Sequence, residues 1–273
     1  MAKDRNKPKP TTKTPPRSAA ASSGRTVERR KERERQRRRQ QLITGGIAVV
    51  ALAVIAVIVF LIVNAPAEAP IPADALTRYD GIQQSTTEQG YPRLGDPNSP
   101  VQVAEYSSFG CSHCRDFHDE AIDQVLDRVR AGKIAFTYVP LYGYGGLTNE
   151  QGAALAAVCA NQQGKFWQFH DALFNWQGLY ANQAFSNNRI NSGVDGLGLD
   201  RGAYNACINS GAPGEVVNAA MAQAQALLNF TGTPTITING VVPVDENQQP
   251  VNDTTGVLAR IDAEVTRLGV LPT

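Results

Sequence analysis

Ile43 to Val63, I-T-G-G-I-A-V-V-A-L-A-V-I-A-V-I-V-F-L-I-V, is a run without a single charge, and it limits this chain more than any other feature. About 20 apolar residues rising ~1.5 Å each cross the ~30 Å hydrocarbon core of a bilayer as a helix. A buried helix of a soluble protein is rarely so long or so uniformly apolar. The run therefore reads as a transmembrane helix over residues 42–63, which splits the chain into two parts with different surroundings.

The charges agree with that division. Residues 1–41 hold 15 Lys/Arg and 4 Asp/Glu, whereas the rest holds 11 and 21, so the near-neutral total hides a basic tail and an acidic body. The segment R-R-K-E-R-E-R-Q-R-R-R lies directly before the span. Short basic flanks stay cytoplasmic, which puts the acidic body outside the cytoplasm. The same segment has the composition of a nucleic-acid or anionic-lipid site, but orientation accounts for it without either. A cleaved signal peptide is the alternative, with Ala65-Pro66-Ala67 as a loose cleavage site. The charged and apolar regions are both long for one, so an uncleaved signal-anchor is preferred. In either case the four cysteines reach an oxidising compartment.

Residues 1–41 read as a disordered cytoplasmic tail, the first 24 being rich in Lys, Pro, Thr, Ser and Ala. Residues 64–95, opening with N-A-P-A-E-A-P-I-P-A-D, show little periodicity and read as a linker. A globular domain is expected over 96–273. Val101 to Tyr106 alternates as a strand, and Cys111 to Val129 has helical spacing up to an Ala131-Gly132 stop. Lys133 to Val139 reads as a second strand, and a helical block fills about 145–230. Thr231 to Val244 returns to strand with Asn239-Gly240 as a hairpin turn, and Val257 to Leu268 closes the chain as an amphipathic helix. No internal repeat is visible.

Within F-G-C-S-H-C-R-D-F-H, Cys111 and Cys114 are separated by two residues. If a helix starts at Cys111, its sulfur meets unpaired N–H groups and the positive end of the helix dipole, which favour the nucleophilic thiolate. Cys114, three residues on, shares that helical face and can resolve a mixed disulfide. His113, when protonated, adds positive charge beside the sulfur. A stabilised thiolate makes the disulfide form the oxidant, so the pattern leans toward an oxidase. Zinc would need about four ligands, and Cys159, Cys207, His118 and His170 are scattered singly. A purely structural Cys111–Cys114 bridge would constrain little chain.

Together, E-Y-S-S-F-G-C-S-H-C, G-K-F-W-Q-F-H-D-A-L-F and G-T-P-T-I-T-I-N-G resemble the DsbA-like thiol–disulfide oxidoreductases, over roughly residues 95–270. The resemblance implies an α/β thioredoxin-like fold with an inserted helical subdomain, here preceded by one N-terminal transmembrane helix. It matches Cys111 to the exposed nucleophile, Cys114 to the buried resolving cysteine and Glu105 to the acidic residue beneath the dithiol. Thr233-Pro234 matches the loop whose proline is cis and faces the active site, where an extended peptide pairs by strand addition. The chain departs from DsbA-type oxidases at Ser112, commonly Pro, which bears on redox strength. Thr before the cis-proline also occurs among isomerase-type relatives.

Cys159 and Cys207 remain, both in the helical block. Two leftover cysteines outside the cytoplasm most simply pair, and related proteins with cysteines here carry a structural disulfide; two buried free thiols are the alternative. Phe166, Trp167, Phe169, Leu173 and Phe174 read as a packed helix face, and His118 and His170 as surface or satisfied helix residues. The expectation is a monomeric, single-pass membrane protein with an extracytoplasmic catalytic domain that uses no cofactor or metal and binds no nucleic acid. It would oxidise reduced exported proteins and be reoxidised by a quinone-linked membrane partner of DsbB-like or VKOR-like kind. Isomerase or reductase activity, or a non-catalytic tethered peptide-binding domain, are the competing readings.

Overall fold

The computed structural model describes residues 20–63 and 65–270. It divides into two units, one ending at Asn64 and one beginning at Ala65. The first is a single helix, α1 (Ala20–Val63). Its Val27–Val63 portion is the one helix among the described residues long and apolar enough to cross a membrane. The tail expected to be disordered over 1–41 is thus helical from residue 20, and residues 1–19 lie outside the described residues. Arg, Lys, Glu and Gln are good helix formers, and Arg30 pairs with Glu34 one turn on at 3.4 Å. Disorder is expected from a composition without a core-forming pattern, but Arg, Lys, Glu and Gln carry no helix breaker.

The second unit is built on a five-stranded sheet in the order β1-β2-β4-β3-β5. Its strands are β1 (Gln84–Thr86), β2 (Pro92–Leu94), β3 (Gln102–Ser108), β4 (Ala135–Leu141) and β5 (Thr235–Ile238). Only β3 and β4 are parallel, as a crossover by helix α2 (Ser112–Arg130) requires. Between β4 and β5 come α3 (Glu150–Asn161), α4 (Phe166–Tyr180), α5 (Asn187–Gly196), α6 (Arg201–Asn209) and α7 (Ala212–Ala226), and α8 (Thr254–Arg267) ends the chain. This is a thioredoxin-like fold with a helical insertion.

Strand alternation sorts the core. Val103, Phe136, Tyr138, Ile236 and Ile238 join a large cluster with Phe117, Leu126 and Val129 of α2, Ile261 of α8 and the aromatic face of α4. Tyr106, Val139 and Leu141 point the other way, against Ala220 and Ala224 of α7. Glu105, two residues from Val103 along β3, therefore lies on the α2 face.

The segment expected as a linker is part of this domain. Residues 65–95 supply β1 and β2, and Ala75, Tyr79 and Leu94 are buried. Trp176 Nε1 donates to the Pro70 carbonyl at 2.8 Å, Arg189 Nε to that of Glu68 at 2.6 Å, and Tyr79 OH to Asp171 at 2.5 Å. A strap held by distant side chains, with strands of three residues, leaves no periodic pattern to read. The expected hairpin also shortens. Asn239 and Gly240 have positive φ and close a two-residue turn between Ile238 and Val241. Pro243 has no N–H with which to extend the returning strand.

Candidate active site

β3 ends at Ser108, a turn follows, and Cys111 is the N-cap of α2 with extended backbone. The helix begins here because the apolar positions Phe117, Ala121, Ile122, Val125 and Leu126 face the core at helical spacing. The first turn of α2 therefore faces the Cys111 sulfur. The pair is in its dithiol form. Cys111 keeps 5% of its surface exposed and Cys114 none.

As a thiol, Cys111 makes no capping bond; its Sγ donates to the Thr233 carbonyl oxygen at 3.3 Å. As a thiolate it accepts instead. A hydrogen bond from the Cys114 thiol, then one from Thr233, then the Cys114 and His113 amides bring its pKa down to about 5, against burial, which raises it. The Thr233 hydroxyl is buried and has no other partner among the described residues. Cys114 moves the other way, well above the usual thiol range, through burial first and then the competing Cys111 sulfur and the Glu105 charge. The two thiols are thus unequal, with the anion on the outer one.

Glu105 is almost fully buried on β3, and burial raises its pKa to about 8, with the Ser107 hydroxyl opposing and Cys111 adding to the rise. Its Oε1 has no hydrogen-bond partner among the described residues. Glu105 pairs in register with Tyr138 of β4. Burial, then Glu105 and Cys114, push that phenol far up. A carboxyl titrating near neutrality beside a buried thiol can hold or release the proton that Cys114 exchanges.

The Thr233–Pro234 peptide is cis and immediately precedes β5. Thr233 and Pro234 line a cavity of about 460 Å³ together with His113, Asp116, Phe117 and Glu120. The His113 side chain is exposed at this rim, and its contribution to the Cys111 anion comes through its backbone N–H. Another cavity, of about 380 Å³, lies beside Arg78, Arg115 and His118; neither cavity is lined by a thiol.

Cys159 and Cys207 are joined by a disulfide between α3 and α6. His118 and His170 are both buried and flank Asp171, the three donor atoms lying within 4.8 Å of one another. This is the one group among the described residues with the spacing of metal ligands. Asp171 already accepts from Tyr79 at 2.5 Å, His170 Nδ1 at 3.1 Å and Arg78 at 3.2 Å. Burial, then the neighbouring His170, holds His118 neutral, with a pKa of about 3. With an arginine in the cluster, it is a hub that fastens the strap to α2 and α4 rather than a cation site.

Sequence reasoning missed Ser107, Tyr138 and Gln177. Ser107 was within reach, two residues from Glu105 on the same strand face. Tyr138 and Gln177 approach the dithiol from other elements, with no signal at the sequence level.

The thioredoxin family model matches residues 87–254. Disulfide bond formation protein D of Bacillus subtilis is 28% identical over 104 residues, covering 36% of this chain and 45% of that protein. A putative protein-disulfide oxidoreductase of Rickettsia typhi is 28% identical over 152 residues, 54% of each chain. The matched segments thus span about half the length of these curated relatives. Among solved structures, oxidised BdbD from Bacillus subtilis is similar with a TM-score of 0.54 at 19% identity, covering 68% of this chain and 98% of that one. MdbA, a thiol-disulfide oxidoreductase from Corynebacterium diphtheriae, reaches 0.54 at 17%, covering 70% and 98%. At these identities the structures bear on the fold.

Proposed function

The chain belongs to the thioredoxin family, and from that premise we propose that it is a membrane-tethered, extracytoplasmic thiol:disulfide oxidoreductase that introduces disulfides into exported proteins. The observation that carries this reading is the inequality of the thiols: Cys111 held as an anion at a helix N-terminus, Cys114 buried beneath it above Glu105.

In the oxidised protein a substrate thiolate attacks Sγ of Cys111. The Cys111–Cys114 bond breaks, and Cys114 leaves as a thiolate that takes up a proton, for which Glu105 is the adjacent acid. A second substrate thiolate then attacks the substrate sulfur of the mixed disulfide and expels Cys111. The substrate gains a disulfide and gives up two electrons, which remain on the Cys111–Cys114 dithiol. A thiol of low pKa leaves readily, so the second step is fast and the reduced product stable. Thr233, whose carbonyl meets the Cys111 sulfur, and Pro234 both line the cavity of about 460 Å³ and are the proposed peptide-binding loop. A membrane oxidant, quinone-linked in this reading, must remove the two electrons.

The deciding measurement is the equilibrium of the full chain with glutathione in detergent. A potential near about −120 mV marks an oxidase, and one near about −270 mV marks a reductase and overturns the proposal. No exchange at all would favour a peptide-binding domain. Labelling of reduced Cys111 in intact cells by a membrane-impermeant maleimide tests the orientation; protection until the membrane is opened would place the domain on the wrong side.

A further inference from the structure

The nucleophile sits in a four-residue turn, Ser108 to Cys111, closed by the Cys111 N–H donating to the Ser108 carbonyl at 3.0 Å. What holds this turn comes from the helical insertion, on two sides. Near the C-terminal end of α4, Gln177 is buried, with 6% of its surface exposed. Its Nε2 donates to the Phe109 carbonyl at 2.6 Å and to the Cys111 carbonyl at 2.9 Å, which uses both amide hydrogens. Its Oε1 has no partner among the described residues, so donation to the turn is the contact that the amide makes.

The opposite wall is Glu150, at the start of α3. Its buried carboxylate accepts from the Ser108 hydroxyl at 3.0 Å and from the Gly143 and Leu147 amides at 2.8 and 2.7 Å. The packing leaves no slack. A Cβ on Gly110 would lie 2.1 Å from the Glu150 carboxyl carbon, and one on Gly145 would lie 1.7 Å from the Gly110 carbonyl oxygen.

We propose that Gln177 is a positioning residue for disulfide exchange, fixing the Phe109–Gly110 and Cys111–Ser112 peptide planes so that the Cys111 sulfur stays at the α2 N-terminus facing Thr233. The peptide group is planar, so pinning the Phe109 oxygen sets the Gly110 N–H, and pinning the Cys111 oxygen sets the Ser112 N–H. The Cys111 oxygen also accepts the first bond of α2, from Arg115 at 3.2 Å, so the same atom registers the helix start against the turn. Gln177 is neutral and acts through geometry and through the local dipoles of the two carbonyls. Released, those carbonyls turn their negative ends free beside the sulfur, and the first-turn amides lose their aim. The insertion is thus more than a cover on the thioredoxin core: one of its side chains sets the nucleophile.

The inference rests on the exchange reading for its meaning, but its test needs no turnover. The full chain in detergent, reduced, is alkylated with iodoacetamide across pH, and its equilibrium with glutathione is measured alongside. For Gln177→Leu the alkylation midpoint moves up by about one pH unit, and the glutathione equilibrium shifts roughly tenfold toward the protein disulfide. Gln177→Asn, too short to reach both carbonyls, shifts both readings in the same direction and serves where leucine prevents folding. A lowered unfolding midpoint with the alkylation midpoint and glutathione equilibrium unchanged would make Gln177 a structural residue only and overturn the inference. A parent chain that failed to exchange with glutathione would remove the proposed function while the alkylation titration still decided the role of Gln177.

Discussion

Two cysteine pairs sit in one domain and are treated in opposite ways. Cys111 caps the N-terminus of α2, where free N–H groups and the positive end of the dipole stabilise an anion. Cys159 lies near the C-terminal end of α3 and Cys207 near that of α6, where the negative end of the helix dipole opposes a thiolate. The first pair is free and unequal; the second is bonded across a separation of 48 residues. The reactivity of a thiol here follows from its place at a helix start together with its hydrogen bonds and burial, and its structural worth from how much chain it closes.

The comparison can be broken most directly by exchanging the losses. Cys111→Ser should cut disulfide exchange by roughly 10³-fold or more, as for removal of a nucleophile, with folding intact. The double change Cys159→Ser and Cys207→Ser should leave exchange in place and lower the unfolding free energy by about 4 kcal/mol, the chain-entropy value for a loop of this length. Denaturant unfolding and a glutathione assay on both variants decide it. Loss of exchange in a folded Cys159/Cys207 variant would end the division of labour.

A smaller effect sharpens it. Glu105 is raised to about 8 by burial, so the folded state binds a proton that the unfolded chain has already lost. Between about pH 4.5 and 8 the folded protein therefore loses stability as pH rises, at up to about 1.4 kcal/mol per unit. Glu105→Gln should remove that slope from the reduced protein, measured as denaturation midpoints across pH, and slow exchange roughly tenfold if the carboxyl moves the Cys114 proton. The same slope in the variant would show that the charge is paid for elsewhere.

Much of this was legible in the residues. The uncharged run, the strand ahead of Phe109, the helix starting at the dithiol and the five helices between the strands all follow from patterns local to a stretch of chain. Glu105 was placed by a motif and by strand alternation. The strap over 65–95 was not legible, because Tyr79, Pro70 and Glu68 are held by Asp171, Trp176 and Arg189, roughly a hundred residues away. Tyr138 enters the site through strand register and Gln177 through the packing of α4. Such residues look like ordinary core positions until the elements are assembled.

The sequence by itself determined which stretch can cross a membrane, which elements form and in what order, and which two thiols share a helix start, since these depend on hydrophobic period, charge and spacing within a few turns. Only the tertiary structure decided how unequal the thiols are and what holds them. That inequality comes from burial of Cys114 and Glu105, and from Thr233 brought to Cys111 across 122 residues, while Gln177 and Glu150 hold the turn. Desolvation and hydrogen bonding act through space, and chain order does not record which groups will be neighbours.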